Sequence, residues 1–208
     1  MDDVDQALVL AFDCSASVTF EEFGLMVGGC ATALRQPDIG AALTGGPLRA
    51  TLCAVLLWSA HDAHEVLVDW ARIDHPAALE GFAAAVENVP RVVRAGNTAI
   101  GEALLAAEAL LKIAPAASRR QIIDVVGDGR SNDGRPPGPI RDRLANAGIT
   151  INGLCVLHEE PDLLESYTRE VIGGPGAFAL QCQDYSAFAD AIRQKLQREI
   201  AAIRTSVT

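Results

Sequence analysis

Two hydrophobic signatures recur along the chain. A continuous apolar run, of the kind that forms a strand buried on both faces, stands at residues 7–12, and further strands are expected within 49–59, at 121–126 and at 149–156. Residues 65–70 alternate instead. They follow the second run after a polar turn at 60–64, too close for a crossover, so an antiparallel pairing is expected. A short strand at 177–181 follows the turn-rich Gly173-Gly174-Pro175-Gly176.

Between these runs lie helical patterns. Thr19, with Glu21 and Glu22 behind it, marks a helix start; that helix should reach Arg35 and stop at Pro37. Residues 76–87 form a short helix. Residues 98–113 place Ile100, Leu104, Ala107 and Leu111 on one face, and Pro115 ends them. Further helices are expected at 139–147, closed by Gly148, at 161–171, and at 185–203. The last should turn Phe188, Ile192, Leu196, Ile200 and Ile203 inward, with Arg193, Lys195, Arg198 and Arg204 making its outer side basic.

Strands alternating with helices imply an α/β, doubly wound, Rossmann-like fold. The expected sheet has six strands, mostly parallel with one antiparallel edge strand, and helices on both faces. No repeat, linker or low-complexity segment interrupts it, so 1–208 reads as a single domain. With 50% hydrophobic and 21% charged residues among 208, the chain can bury a core and does not resemble a disordered one. A net charge of -10 argues against non-specific nucleic-acid binding and against an anionic membrane surface. It leaves cation binding at a focused acidic site open. The longest apolar run, 52–58, is far below the roughly 18 residues of a spanning helix, so no membrane span is expected.

Cys14, Cys30, Cys53, Cys155 and Cys182 are odd in number and without C-x-x-C spacing. They read as small buried hydrophobes, with one disulfide plus spare thiols as the alternative. The acidic start, Asp2-Asp3, is not a secretory signal. That leaves a cytoplasmic chain or one whose signal has been removed.

In doubly wound sheets, ligands bind at the carboxyl ends of the strands. The first strand ends Asp13-Cys14-Ser15-Ala16-Ser17, Gly96-Asn97-Thr98 opens the long helix, and Gly127-Asp128-Gly129 ends the central strand. Asp13, Ser15, Ser17, Thr98 and Asp128 are all hard oxygen donors. Such a set selects a hard divalent ion, Mg²⁺ first, with Mn²⁺ or Ca²⁺ as alternatives.

These three segments, with Gly101, resemble the metal-ion-dependent adhesion site (MIDAS) of von Willebrand factor type A domains. The resemblance covers nearly the whole chain in order and spacing. The stretches 119–125, 148–154 and 171–178 are similar to an uncharacterised bacterial subgroup, usually made with a secretion signal. The resemblance implies that Ser15, Ser17 and Thr98 approach the ion through hydroxyls. It also implies that Asp13 and Asp128 act largely through water, or by switching between direct and indirect contact. A remaining coordination position would accept a carboxylate from a partner protein, and an extracytoplasmic location follows from the subgroup. In the family the site couples to the last helix, here 184–203; the residues themselves read as a fixed packing helix.

His61 and Asp62 at the hairpin tip, and His158, Glu159 and Glu160 after a later strand, are a candidate rim for the partner. The glycine-rich 173–176 segment lacks a phosphate-loop pattern and reads as a structural turn. Asp124, inside a buried strand, needs a partner; Asn152 on a neighbouring strand, Arg119 or Arg120 would serve. The function expected is a metal-dependent protein-binding or adhesion module. An accessory factor working with an ATPase is the alternative. A metal-dependent hydrolase is disfavoured, because Ser15 and Ser17 have no evident base partner and no G-x-S-x-G elbow is present.

Overall fold

The computed structural model describes the backbone of residues 2–205 and the side chains of residues 2–199. Strands β1 (Val4–Asp13), β2 (Thr51–Trp58), β3 (His64–Ile73), β4 (Ser118–Gly127), β5 (Thr150–Val156) and β6 (Ala179–Cys182) form one sheet. Its order is β3-β2-β1-β4-β5-β6. All neighbours pair in parallel except β2 with β3. The polar turn leaves room only for a hairpin, so β3 becomes the antiparallel edge, as the sequence indicates.

Helices α1 (Phe20–Leu34), α2 (Pro37–Leu43), α3 (Pro76–Glu87), α4 (Ile100–Lys112), α5 (Pro137–Asn146), α6 (Leu163–Glu170) and α7 (Phe188–Thr205) cover both faces. Alternate residues of β1 serve two cores. Leu8, Leu10 and Phe12 pack with α1, α2, α3 and α7, while Ala7, Val9 and Ala11 pack with α4, α5 and α6. Every residue of β1 is buried, which explains its unbroken apolar run. Thr19 caps α1 with its side chain, at the helix start read from the sequence, and Glu22 closes a reciprocal capping box.

Two differences from the sequence reading concern helices. Pro37 does stop α1, but it also opens α2, because proline suits a first helical position where no N–H partner is needed. The last helix is preceded by a 3-10 turn at Tyr185–Ala187, whose first N–H groups are capped by Asp184. All five cysteines are buried and free.

The third difference is a correction. Lys195 does not lie on a basic outer face; it is fully buried and reaches Asp124 on β4 and Glu199 one turn on. Asn152 stands opposite Asp124 in the β4–β5 register. Its amide nonetheless donates to Glu199 (2.7 Å) and its oxygen accepts from the Phe178 N–H (3.0 Å). The partner of Asp124 is therefore Lys195, not Asn152, Arg119 or Arg120. A four-carbon stem lets lysine thread an apolar helix face and present its charge at depth; Lys195 stands three residues after Ile192 and seven after Phe188, on the inward stripe. Arg193 does face outward, to Asp38 (3.1 Å), and the Arg198 guanidinium stacks on Phe178. The readings of Ile200, Ile203 and Arg204 fall outside the described side chains.

Burial, then the neighbouring Glu199, holds the Asp124 carboxyl well above the usual carboxylate range. In Glu199 the burial cost is outweighed by the Lys195 ammonium and the donors around it, which hold its carboxyl below the usual range. Removing the lysine alone strands two acids in the core. Lys195→Met is expected to cost about 3–5 kcal/mol in urea denaturation. The triple replacement Asp124→Leu, Lys195→Met, Glu199→Leu should recover most of that loss. A Lys195→Met chain as stable as wild type would show that the cluster does not hold α7 to the sheet.

Candidate functional site

β1 connects to β2 on one side and lies against β4 on the other, so the crevice between β1 and β4 is the switch point of the sheet. β1 ends in Asp13 and β4 in Gly127, with Asp128 next. Beyond Asp13 the chain turns sharply: Asp13 Oδ1 accepts the Ser15 N–H at 2.7 Å, and the Ala16 N–H is held by the Gly96 carbonyl at 2.8 Å. The turn aims both serine hydroxyls the same way. Ser15 Oγ and Ser17 Oγ lie 3.1 Å apart, and Ser17 Oγ donates to Asp128 Oδ1 at 2.6 Å.

Thr98 stands two residues before α4, not within it. Its N–H is accepted by Asn132 Oδ1 (2.8 Å), and its carbonyl accepts the N–H groups of Asn132 and Asp133. These bonds tie Thr98 to the loop that carries Asp128. A Cβ on Gly129 would stand 3.7 Å from Thr98 Oγ1, so the hydroxyl faces that loop closely. Gly101 lets the loop approach α4: a Cβ there would meet the Arg135 carbonyl oxygen at 2.1 Å. The structure thus joins Asp13, Ser15, Ser17 and Asp128 through direct hydrogen bonds and sets Thr98 beside them.

The electrostatics of this cluster are unfavourable without a cation. Asp13 is fully buried, and its carboxyl is pushed up to about 7, first by burial and then by Asp128. Asp128 is also raised, chiefly by burial, against the hydrogen bond from Ser17. Asp13 Oδ2 and Asp128 Oδ2 are buried with no hydrogen-bond partner among the described residues. Among the described residues, no group of three or more His, Cys, Asp or Glu is arranged to hold a metal. The donors here are instead three hydroxyls and two carboxylates, which fit a hard divalent cation. Cys14, beside them, has its thiol pushed up to about 12 by burial and by Asp13, so it is no nucleophile.

The rim residues divide. Glu160 Oε1 accepts the Arg130 N–H (3.0 Å) and lies 3.6 Å from the same Gly129 Cβ position that Thr98 faces. His158 sits 3.3 Å from both Glu22 and Glu159 and edge-on to Tyr185. His61 and Asp62 engage other loops, with Asp133 (2.9 Å) and Arg94 (3.2 Å) respectively. Asp133 holds the His61 imidazole above its ordinary range.

Sequence reasoning missed Arg91, which donates to the Cys14 and Ser15 carbonyls (3.3 and 3.1 Å). It missed Asn132 as well. Both act on backbone atoms from irregular loops, where no periodicity marks them.

A six-stranded sheet of this order, with this hydroxyl and carboxylate set at its switch point, is the von Willebrand factor type A fold. A solved von Willebrand factor type A protein from Catenulispora acidiphila superposes with a TM-score of 0.63 at 18% identity, over 95% of this chain and 43% of that one. Proximal thread matrix protein 1 from the mussel byssus, solved with a zinc-occupied MIDAS motif, gives 0.65 at 18%, over 96% and 46%. The vWF domain of the type V pili tip protein Mfa5 from Porphyromonas gingivalis gives 0.61 at 11%, over 96% of each chain. The chain therefore spans less than half the length of the first two. The chain belongs to the DUF1194 family, described as proteins of unknown function, whose match runs over residues 3–204. No curated protein matches it in sequence.

Because the folded pKa of Asp13 lies above its ordinary 3.8, its contribution to stability is full below about pH 4. That contribution is lost as pH rises through about 7. Asp13→Asn keeps the acceptor for the Ser15 N–H and removes the charge. In EDTA at pH 8 the variant should be more stable than wild type by a few kcal/mol, since each tenfold change in proton affinity is worth about 1.4 kcal/mol. The difference should shrink toward zero near pH 4. Equal stability of the two proteins at pH 8, measured by denaturant titration, would contradict the buried-charge account.

Proposed function

We propose that this chain is a divalent-cation-dependent protein-binding module. Asp13, Ser15, Ser17, Thr98 and Asp128 hold the ion, and a carboxylate of a partner protein completes its coordination. The observation that carries this reading is the pair of buried, unpartnered oxygens on Asp13 and Asp128 beside three hydroxyls. A bound cation offsets their repulsion and polarises the incoming carboxylate. Mg²⁺ is the ion that the hard donors favour, with Mn²⁺ or Ca²⁺ next; the zinc-occupied motif of the byssal protein adds Zn²⁺ to the ions worth testing.

Its role is adhesive or assembling, not catalytic. Ser15 and Ser17 face each other and a carboxylate, not an imidazole, and the thiol alongside is held protonated. The pilus-tip and byssal neighbours support work outside the cytoplasm. Among the described residues no helix is long and apolar enough to cross a membrane. Glu160 and His158 form the nearer part of the partner-facing rim, with Glu159 beside them. His61 and Asp62 form its outer part.

The test is a thermal melt of wild type and Asp13→Ala in EDTA and then in Mg²⁺, Mn²⁺, Ca²⁺ or Zn²⁺. At a hundredfold excess over Kd, an ion bound only by the folded state adds about 2.7 kcal/mol. For a chain of this size that raises Tm by roughly 5–10 °C. The rise should vanish in Asp13→Ala. A wild-type melt that none of the ions moves, or a rise that the variant retains, removes the reading.

A further inference from the structure

Tyr167 lies on α6 with its side chain fully buried. Its ring crosses β5 and β4 where both strands carry glycine. A Cβ on Gly153 would stand 2.8 Å from its Cδ1, and a Cβ on Gly127 would stand 2.7 Å from its hydroxyl. The hydroxyl thus reaches across β4 toward the end of β1. Asp13 Oδ2 lies 3.0 Å from that same Gly127 position. Neither oxygen has a hydrogen-bond partner among the described residues.

A buried phenol without a partner is costly, and phenylalanine would fill the same space without that cost. The position of the hydroxyl accounts for it. Asp13 Oδ1 is already fixed by the Ser15 N–H, so Oδ2 is the oxygen left to be oriented. A phenol is a neutral donor: it steadies a carboxylate without setting a positive charge against a cation. Arginine or lysine in its place would compete with the ion.

We propose that the Tyr167 hydroxyl is a positioning group of the cation site. It donates toward Asp13 Oδ2, directly or through one water, and holds the carboxylate in its ion-binding orientation. This inference rests on the cation-binding reading above. Gly127 and Gly153 are then the residues that admit the ring.

The experiment is a calorimetric titration of the EDTA-stripped chain with Mg²⁺ and with Mn²⁺, on wild type and Tyr167→Phe. Loss of such an outer partner weakens metal binding by about 10–100-fold, and a loss in that range is expected. In EDTA the variant should stay folded and melt within a few degrees of wild type, so that the loss is read in ion affinity and not in folding. The chain has two tyrosines, so the change in tyrosine absorbance on adding Mg²⁺ is assignable. It should persist in Tyr185→Phe and be lost in Tyr167→Phe. Equal ion affinity of wild type and Tyr167→Phe overturns this inference and leaves the cation site standing. A fall in ion affinity of the same size in Tyr185→Phe also overturns it. A wild type that binds neither ion removes the cation site itself, and this inference with it.

Discussion

Burying Asp13 and Asp128 together at the end of the β1–β4 crevice is the constraint around which the rest of this structure is arranged. Among the described residues no lysine or arginine side chain pairs directly with either carboxylate; a backbone N–H and a serine hydroxyl bond to them. The surroundings are built to keep that geometry. Arg91 ties down the carbonyls of the first loop, Asn132 ties Thr98 to the loop after β4, and Gly101 lets that loop close on α4. Burial raises both carboxyls above their ordinary range, and the loops hold them together against that cost.

The same sheet carries a second buried acid and treats it in the opposite way. Asp124, four residues before Asp128 on the same chain segment, is answered internally by Lys195, with Glu199 and Asn152 completing the cluster. The contrast is informative because burial is equal in the two places. Where an acid serves packing, the chain supplies its own cation. Where it does not, two carboxylate oxygens point inward without partners. Being buried is thus not what separates the two acids; the presence of a built-in countercharge is.

Much of this was legible in the sequence, for identifiable reasons. A strand buried on both faces is mostly apolar, so β1, β2, β4 and β5 stand out along the chain, and the short polar turn forces β3 to be antiparallel. Asp13, Ser15, Ser17 and Asp128 sit where apolar runs end, which is where a parallel sheet gathers its ligand-facing groups. What escaped depends on contacts between distant segments. Lys195 falls on the inward stripe with Phe188 and Ile192, but a lysine on an amphipathic helix reads as solvent-facing until the carboxyl group beneath it is seen. Tyr167 reads as an ordinary core aromatic until the glycines of β4 and β5 are seen to open a path for its hydroxyl. Asn132 and Arg91 bond to backbone, which leaves no pattern in side-chain spacing. α2 was hidden because proline serves equally to end one helix and to begin another.

The buried cluster also bears on how far α7 can follow events at the site. Lys195 engages β4, and Glu199 takes the Asn152 amide of β5, so one helix is anchored to two adjacent strands by charges that have no access to water. Sliding α7 by one turn would carry the ammonium about 5.4 Å along the axis. The contact of Lys195 with Asp124 and that of Glu199 with Asn152 would break, at a cost of several kcal/mol. A partner's carboxylate can shift an equilibrium only by its differential affinity for the two states, typically 1–3 kcal/mol for coupled sites. The buried cluster therefore opposes any sliding of α7 against the sheet.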